Sequence, residues 1–195
     1  MVATARGAGP KTAAALFIPA DPSTAAGIKT VASQVKERLG GIDIIVSSVG
    51  GSFAPSGGFA VLTDEDWQRA LDLNLLAAVR VDRALPSGML ERGSGVIVRI
   101  SSIRRRIPLF EATLAYAAAK AALTTYSKGL SKEVGPKGIR VNSMAPGSTE
   151  TDGSLQLTRR MAAQRGIDEE AARKIKMESL GGIPIGRPAR PESGE

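Results

Sequence analysis

The chain has 195 residues, about the size of one domain, and it contains no cysteine and no histidine. Disulfides, thiolate zinc sites and catalysis that needs imidazole or a thiol are therefore excluded. Proton transfer is left to Tyr, Lys, Asp and Glu. The formal charge of +7 raises the alternative of a nucleic-acid surface. However, the basic residues are scattered and often stand beside acidic ones, which indicates an ordinary solvated surface.

The sequence gives no indication of a membrane protein. Its longest apolar runs fall well short of the roughly 20 residues that a membrane helix needs, and its first residues lack the apolar core of a signal peptide. We therefore expect a cytoplasmic protein that binds neither membrane nor nucleic acid.

Short apolar runs alternate with helical patterns along the chain. Strands are predicted at 2–5, 16–18, 42–46, 96–100 and 138–142. Helices are predicted at 25–39, 66–90 with a break near Pro86, 113–134, 154–165 and 168–180. The run 42–46, apolar except for Asp43, is typical of a strand buried on both faces. Thr63 and Asp66 have the spacing of a capping box.

This alternation predicts an α/β fold with a doubly wound parallel sheet, covered by helices on both faces. In such sheets, ligands bind beyond the carboxyl ends of the strands. Three polar or glycine-rich segments follow predicted strands, at 47–51, 101–102 and 146–149. Their convergence predicts a binding site.

Tyr116 and Lys120 stand four residues apart in the predicted helix 113–134. At this spacing the two side chains lie one above the other, about 6 Å apart along the helix axis. A nearby cation favours a phenolate, so Lys120 is expected to lower the pKa of Tyr116 toward neutrality. The alternative is an ordinary pair on a helix surface.

Two polar residues strengthen the catalytic interpretation. Ser102 ends a predicted strand, where its hydroxyl could hold a substrate oxygen or simply cap the strand. Asn74 lies among leucines within a predicted helix, although Asn competes with the backbone for hydrogen bonds and is a poor helix former.

Together these motifs closely resemble the short-chain dehydrogenase/reductase family, and the resemblance runs from about Val2 to about Pro191. The family's usual Asn-Asn-Ala-Gly is matched by Ser47-Ser48-Val49-Gly50. The other motifs follow in the family's order: Asn74, Ile100-Ser101-Ser102, Tyr116 with Lys120, Val141-Asn142 and Pro146-Gly147.

The resemblance implies hydride transfer between NADP (or NAD) and a carbonyl or alcohol of a small molecule. Tyr116 would be the general acid and base, and Ser102 would hydrogen-bond the carbonyl oxygen. Lys120 would lower the pKa of Tyr116 and hold the nicotinamide ribose. Asn74 would position a water in a proton relay.

The resemblance also implies the cofactor contacts. Arg6 would face the adenosine ribose, where an arginine suits a 2′-phosphate and favours NADP; the alternative is a solvated turn residue. Gly50 would let the backbone approach the cofactor. The full cofactor-binding set implied is Arg6, Asp21, Ser48, Val49, Gly50, Tyr116, Lys120, Pro146, Gly147 and Thr149.

The sequence departs from the family at both ends. The family opens with a strand and a glycine-rich phosphate loop, whereas this chain starts at the family's next strand. Gly7-Ala8-Gly9-Pro10 is better interpreted as a plain loop, because too few residues follow it for a crossover. We therefore expect one incomplete Rossmann-type domain, 1–195, without the family's first strand and last helix and strand.

Such a shortened member is expected to keep the catalytic residues and bind dinucleotide poorly. The alternative is an inactive scaffold or interaction protein. The segment 148–185 is predicted to be a substrate lid, or else ordinary packing. Arg104-Arg105-Arg106 could bind an acidic substrate or form a solvated loop. The alanine-rich helix around Tyr116 favours a dimer or tetramer, although alanine also suits packing on the sheet.

Overall fold

The computed structural model describes residues 1–6 and 16–190. The strands of these residues are β1 (Val2–Ala5), β2 (Leu16–Pro19), β3 (Ile44–Ser47), β4 (Gly95–Ile100) and β5 (Ile139–Met144). The helices are α1 (Ala25–Leu39), α2 (Asp64–Leu71), α3 (Ala77–Ala84), α4 (Ser87–Arg92), α5 (Phe110–Val134), α6 (Asp152–Arg165) and α7 (Glu169–Glu178). The predicted loop at Gly7–Pro10 lies outside the described residues.

All strand pairings are parallel, which confirms the doubly wound, Rossmann-like α/β fold. β1 pairs with β2, and β4 pairs with β3 on one side and β5 on the other. In the described part of the chain, no strand joins the β1–β2 pair to the sheet of β3, β4 and β5. Within residues 1–6 and 16–190, no helix combines the length and apolar character needed to cross a membrane.

The prediction that the strand at 42–46 is buried on both faces is wrong. Ile45 is 7% exposed, whereas Ile44 and Val46 are each 62% exposed. Ile45 packs with Met89 of α4 and Val134 of α5, but the described residues leave the opposite face of β3 open. Of the three apolar residues 44–46, only Ile45 is therefore buried by the described fold.

Helix α1 has the bounds that its sequence predicts. The side chain of Thr24 accepts a hydrogen bond from Gly27 N at its start, and Gly40 ends it with a positive φ of 70°. Val31 and Val35 pack against Ile18 of β2. Leu39, the last residue of the helix, is 52% exposed and lies beyond this apolar cluster.

The predicted helix at 66–90 is divided into three helices by a π-helical turn at Asp72–Leu76 and a break near Pro86. The capping box at its start is confirmed: Asp66 N donates to Thr63 Oγ1 over 3.2 Å, and Thr63 N donates to the Asp66 carboxylate over 3.1 Å. The π-helical turn contains Asn74 and is a common feature of functional sites.

A buried ion pair joins the sheet to its helices. Arg99 of β4 is fully buried and bonds to Asp82 of α3. Tyr126 of α5 donates a 3.0 Å hydrogen bond to the same carboxylate. Three elements are thus held together by one polar cluster.

Several alanines of α5 pack inside the chain, whereas Ala118 is exposed. Ala115, Ala117 and Ala119 are each at most 5% exposed. They therefore fit the alternative of packing within the domain, and a dimer or tetramer remains a prediction.

Candidate active site

A cleft of about 440 Å³ opens at the carboxyl ends of β3, β4 and β5. Segments that follow all three strands line it, together with side chains of α5. The predicted site residues brought together here are Ser48, Gly50, Ser102, Tyr116, Lys120, Gly147 and Thr149. The three segments expected to converge therefore do so.

Lys120 is buried at the base of this cleft, with 3% of its surface exposed. Its ammonium donates a 2.8 Å hydrogen bond to Ile100 O and a 3.4 Å hydrogen bond to Val49 O. Burial lowers the pKa of Lys120 to about 8. The side chain thus ties the ends of β3 and β4 to α5 and retains one further proton for a ligand.

The Tyr116 ring lies close to Lys120, with the ammonium 5.8 Å from the ring centroid. Burial nevertheless raises the pKa of Tyr116 above 10.0, although hydrogen bonding to Ser102 and the charge of Arg104 act in the opposite direction. The expectation that Lys120 lowers this pKa toward neutrality is wrong for the described structure. The ammonium is directed at carbonyl oxygens, and desolvation of the phenolate outweighs the favourable contacts.

Ser102 combines the two roles suggested by its sequence. Its Oγ accepts a 3.1 Å hydrogen bond from Arg104 N, which caps the turn after β4. The hydroxyl proton is left to donate to another oxygen. The adjacent Ser101 is buried and contacts Lys120 O at 3.1 Å and Thr124 Oγ1 at 2.8 Å, which fixes the end of β4 against α5.

Asn74 holds the loop after β3 rather than facing the cleft directly. Its side chain exchanges two hydrogen bonds with the backbone of Gly51 and donates a third to Ala70 O, each 3.0 Å long. Both amide protons are used in these bonds. Its predicted role in holding a water stays a prediction.

The backbone of Gly50 lies close to two site residues, Lys120 and Asn74. A Cβ atom at this position would lie 2.7 Å from Lys120 Nζ and 2.8 Å from Asn74 Oδ1. At such distances a side chain on residue 50 would force the Lys120 ammonium or the Asn74 amide to shift, so glycine keeps both groups in place.

The segment after β5 is fixed on two sides. Ile103 N donates to Pro146 O over 3.0 Å. Further along, Glu150 N donates to Ala189 O over 2.8 Å, beside a parallel bridge between Thr149 and Ala189. Pro146, Gly147 and Thr149 are thus part of an anchored edge of the cleft.

Four predicted cofactor residues do not line this cleft: Val49 and Pro146 belong to segments that border it, whereas Arg6 and Asp21 lie elsewhere. Arg6 lines a separate depression of about 590 Å³, together with Arg69 and Arg80. Asp21 accepts hydrogen bonds from Ser23 N at 2.9 Å and Ser23 Oγ at 2.6 Å, and these bonds lower its pKa. Their predicted contacts with adenosine remain predictions.

Two cations of the cleft were missed from the sequence. Arg160 of α6 and Lys176 of α7 both line it. Lys176 carried a usable signal, because it lies one turn after the fully buried Ala172 and next to Ile175, on the apolar face of an amphipathic helix.

Comparison with known proteins gives a consistent assignment. The profile of the short chain dehydrogenase family matches residues 2–162. The 3-oxoacyl-acyl-carrier-protein reductase FabG of Chlamydia muridarum is 36% identical over 167 residues, 83% of this chain and 60% of that protein. The 2,3-dihydro-2,3-dihydroxybenzoate dehydrogenase of Bacillus subtilis is 33% identical over 177 residues, 89% of this chain and 64% of that protein.

Solved structures show the same likeness. The L-sorbose reductase of Gluconobacter frateurii, complexed with NADPH and L-sorbose, superposes with a TM-score of 0.78 at 33% identity. The match covers 91% of this chain and 65% of that chain. Since the family profile spans most of the sequence, including all the predicted catalytic positions, the chain belongs to the short-chain dehydrogenase/reductase family.

Proposed function

We propose that this chain is an oxidoreductase that interconverts a carbonyl and an alcohol of a small molecule with NADP or NAD. The observation that supports this most strongly is that Ser102, Tyr116 and Lys120 line one cleft at the carboxyl ends of parallel strands. A hydroxyl, a phenol and an ammonium there are the groups that carbonyl reduction needs. The family's relatives include reductases and dehydrogenases.

The residues present fit a nicotinamide cofactor at this end of the sheet. Gly50 has no side chain that would displace Lys120, Lys120 has a proton to donate, and Ser48 and Thr149 present hydroxyls to the same cleft. When bound, the cofactor supplies the hydride. Arg6 suits a 2′-phosphate, which favours NADP over NAD.

Ser102 and Tyr116 would position the carbonyl oxygen of the substrate and transfer a proton to it. The Ser102 hydroxyl donates to the carbonyl oxygen of the substrate and keeps it beside the phenol. Tyr116 then gives its proton to that oxygen. Because the pKa of Tyr116 is raised, the phenol is protonated at neutral pH and is ready to act as an acid. Oxidation of an alcohol needs the phenolate and is therefore favoured at higher pH.

Helices α6 and α7, within the segment 148–185, would cover the substrate. Leu157 and Arg160 of α6 and Lys176 of α7 face the cleft, whereas Met161 packs against Leu109 and Ala112 at the start of α5. One side of the lid is thus anchored to the body, and the other is available to contact substrate.

The test compares the reductase activity of wild type with that of a variant that lacks the Tyr116 hydroxyl. Wild type is incubated with NADPH or NADH and a panel of ketones and aldehydes, and cofactor oxidation is followed by absorbance. We expect turnover, and we expect Tyr116→Phe to lower kcat at least about a hundredfold while NADPH binding, measured by nicotinamide fluorescence, is retained. Absence of turnover with every carbonyl, or full activity of Tyr116→Phe, would reject the proposal.

A further inference from the structure

The substrate side of the cleft carries an excess of positive charge. Besides Lys120, it is lined by Arg104 from the turn after β4, Arg160 of α6 and Lys176 of α7. No aspartate or glutamate of the described residues lines it. The remaining lining residues are neutral, so nothing in the cleft wall balances these cations.

Lys176 is buried without a carboxylate partner in the described part of the chain. It is 8% exposed, and its ammonium donates to Ser154 O at 3.1 Å, Ser154 Oγ at 2.8 Å and Thr158 Oγ1 at 2.9 Å. All three acceptors are neutral. Burial, with the nearby charges of Arg104 and Arg173, lowers the pKa of Lys176 to about 8, although the charge of Glu150 acts in the opposite direction.

Arg104 is half-buried beside Lys176 and Tyr116. Its Nη1 donates to Ser179 Oγ at 3.1 Å and Ile107 O at 3.3 Å. Within residues 1–6 and 16–190, the other two guanidinium nitrogens of Arg104 have no hydrogen-bond partner, and no carboxylate forms an ion pair with Arg104. The guanidinium therefore has donors left for a ligand while the bond to Ser179 fixes it against the end of α7.

Arg160 adds a third donor from the lid. Its Nη2 donates to Ser52 O at 3.0 Å, and its Nε is buried without a partner in the described part of the chain. Cations brought together out of water without counter-ions are costly. An anion bound among them offsets that cost, and its charge-assisted hydrogen bonds are stronger than those to neutral groups.

We propose that the substrate of this chain bears an anionic group, a carboxylate or a phosphate, to which the free guanidinium donors of Arg104 bind on the lid side of the cleft while the charge of Lys176 attracts it. This rests on the proposed function and adds a substrate class to it. Arg104 follows Ser102 by two residues, and Lys176 lies on α7. The anion is therefore assigned to the substrate rather than to the cofactor, whose expected contact at Gly50 follows the neighbouring strand β3.

The experiment compares matched acids and esters by titration calorimetry in the presence of NADP⁺. The probes are 3-oxobutanoate, 4-oxopentanoate and 5-oxohexanoate, each with its methyl ester, and dihydroxyacetone phosphate with dihydroxyacetone. We expect at least one anion to bind about tenfold or more tightly than its neutral partner. Arg104→Gln should reduce that ratio to near one, and Lys176→Met should lower it.

Arg106→Gln is the matched control. It removes the same charge as Arg104→Gln, but from an exposed side chain two residues further along the chain. It should leave the ratio unchanged. The ratio between acid and ester is internal to each variant, so a general loss of stability does not imitate the effect. NADPH and NADH affinities of Arg104→Gln identify a cofactor phosphate as the alternative anion.

Equal binding of every anion and its neutral partner would overturn the proposal, as would binding of none of them. It would also be overturned if Arg104→Gln weakened NADPH binding and left the acid-to-ester ratio intact. Because no hydride is transferred to these ketones from NADP⁺, the result is independent of turnover. An active enzyme without anion preference would thus remove this inference and leave the proposed function standing.

Discussion

Asn74 and Gly51 exchange two hydrogen bonds, one in each direction and each 3.0 Å long. The side-chain amide of Asn74 thereby satisfies both the N–H and the carbonyl of Gly51. Its remaining amide proton bonds to Ala70 O, at the π-helical turn. The polar residue among leucines therefore fixes the loop after β3 to the helix layer.

Removing the Asn74 amide should destabilise the fold. Asn74→Ala leaves the N–H and carbonyl of Gly51 and the carbonyl of Ala70 without these partners. We expect a loss of roughly 2 to 3 kcal/mol in the free energy of unfolding, measured by urea denaturation. Thr30→Ala removes an exposed 3.2 Å helix bond and should stay within about 0.5 kcal/mol of wild type; equal losses in the two variants would contradict this assignment.

Gly50→Ala should displace Lys120. The added methyl would meet Lys120 Nζ at 2.7 Å and Asn74 Oδ1 at 2.8 Å, and such overpacking costs about 1 to 3 kcal/mol. We expect lower stability and weaker NADPH binding, measured by nicotinamide fluorescence. Gly129→Ala is the control, because this exposed helical glycine has nothing within 4 Å of the new Cβ and should gain up to about 1 kcal/mol. Unchanged NADPH binding in Gly50→Ala would contradict a role of Gly50 in keeping Lys120 in place for the cofactor.

Asp82→Asn should leave the fully buried Arg99 without a counter-ion. The two side chains are 4% and 0% exposed, and breaking a buried pair costs about 3 to 5 kcal/mol. Asp43→Asn breaks an exposed pair with Arg92, in which the carboxylate is 85% exposed, and should barely move the denaturation midpoint. Similar midpoints for the two variants would show that Arg99 finds another partner.

The buried Lys120 should make stability depend on pH. Burial lowers its pKa from 10.5 to about 8, so between these pH values the unfolded chain holds a proton that the folded chain has released. Stability therefore rises with pH across this window. Relative to Lys120→Met, wild type should gain on the order of 1 to 3 kcal/mol in urea denaturation between pH 8 and 10.5.

Lys128→Met is the control for this pH dependence, since Lys128 lies on the same helix and is exposed. Its stability difference from wild type should not change with pH. A constant difference between wild type and Lys120→Met across the same window would mean that Lys120 is not desolvated.

Periodicity was sufficient for the elements of this fold. The apolar face of α1 and its terminal glycine predict the helix at 25–39, and strand-length apolar runs predict each strand. The exposure of Ile44 and Val46 could not be predicted, because a run of apolar residues does not show whether helices cover both faces of the strand. The π-helical turn contains Asn74, whose partner Gly51 lies 23 residues away, and no local pattern predicts that contact.

The candidate site was predictable where chemistry lies in motifs of close spacing. Tyr116 and Lys120 share a helix, and Ser102 ends a strand, so the parallel sheet brings them to one edge. The pKa of Tyr116 was not predictable, because it depends on burial and on Arg104. Lys176 belongs to a helix far along the chain, and its place beside Arg104 follows only from tertiary packing.

Carbonyl reduction in this cleft requires a hydride from the cofactor and a proton from Tyr116 to reach one carbonyl group. Product analysis by mass spectrometry tests this directly. With NADPH deuterated at C4 of the nicotinamide, in ordinary water, we expect the alcohol to carry deuterium on its carbinol carbon. With unlabelled NADPH in heavy water, that carbon should carry none. A carbinol carbon labelled from the solvent and not from the cofactor would contradict hydride transfer in this cleft.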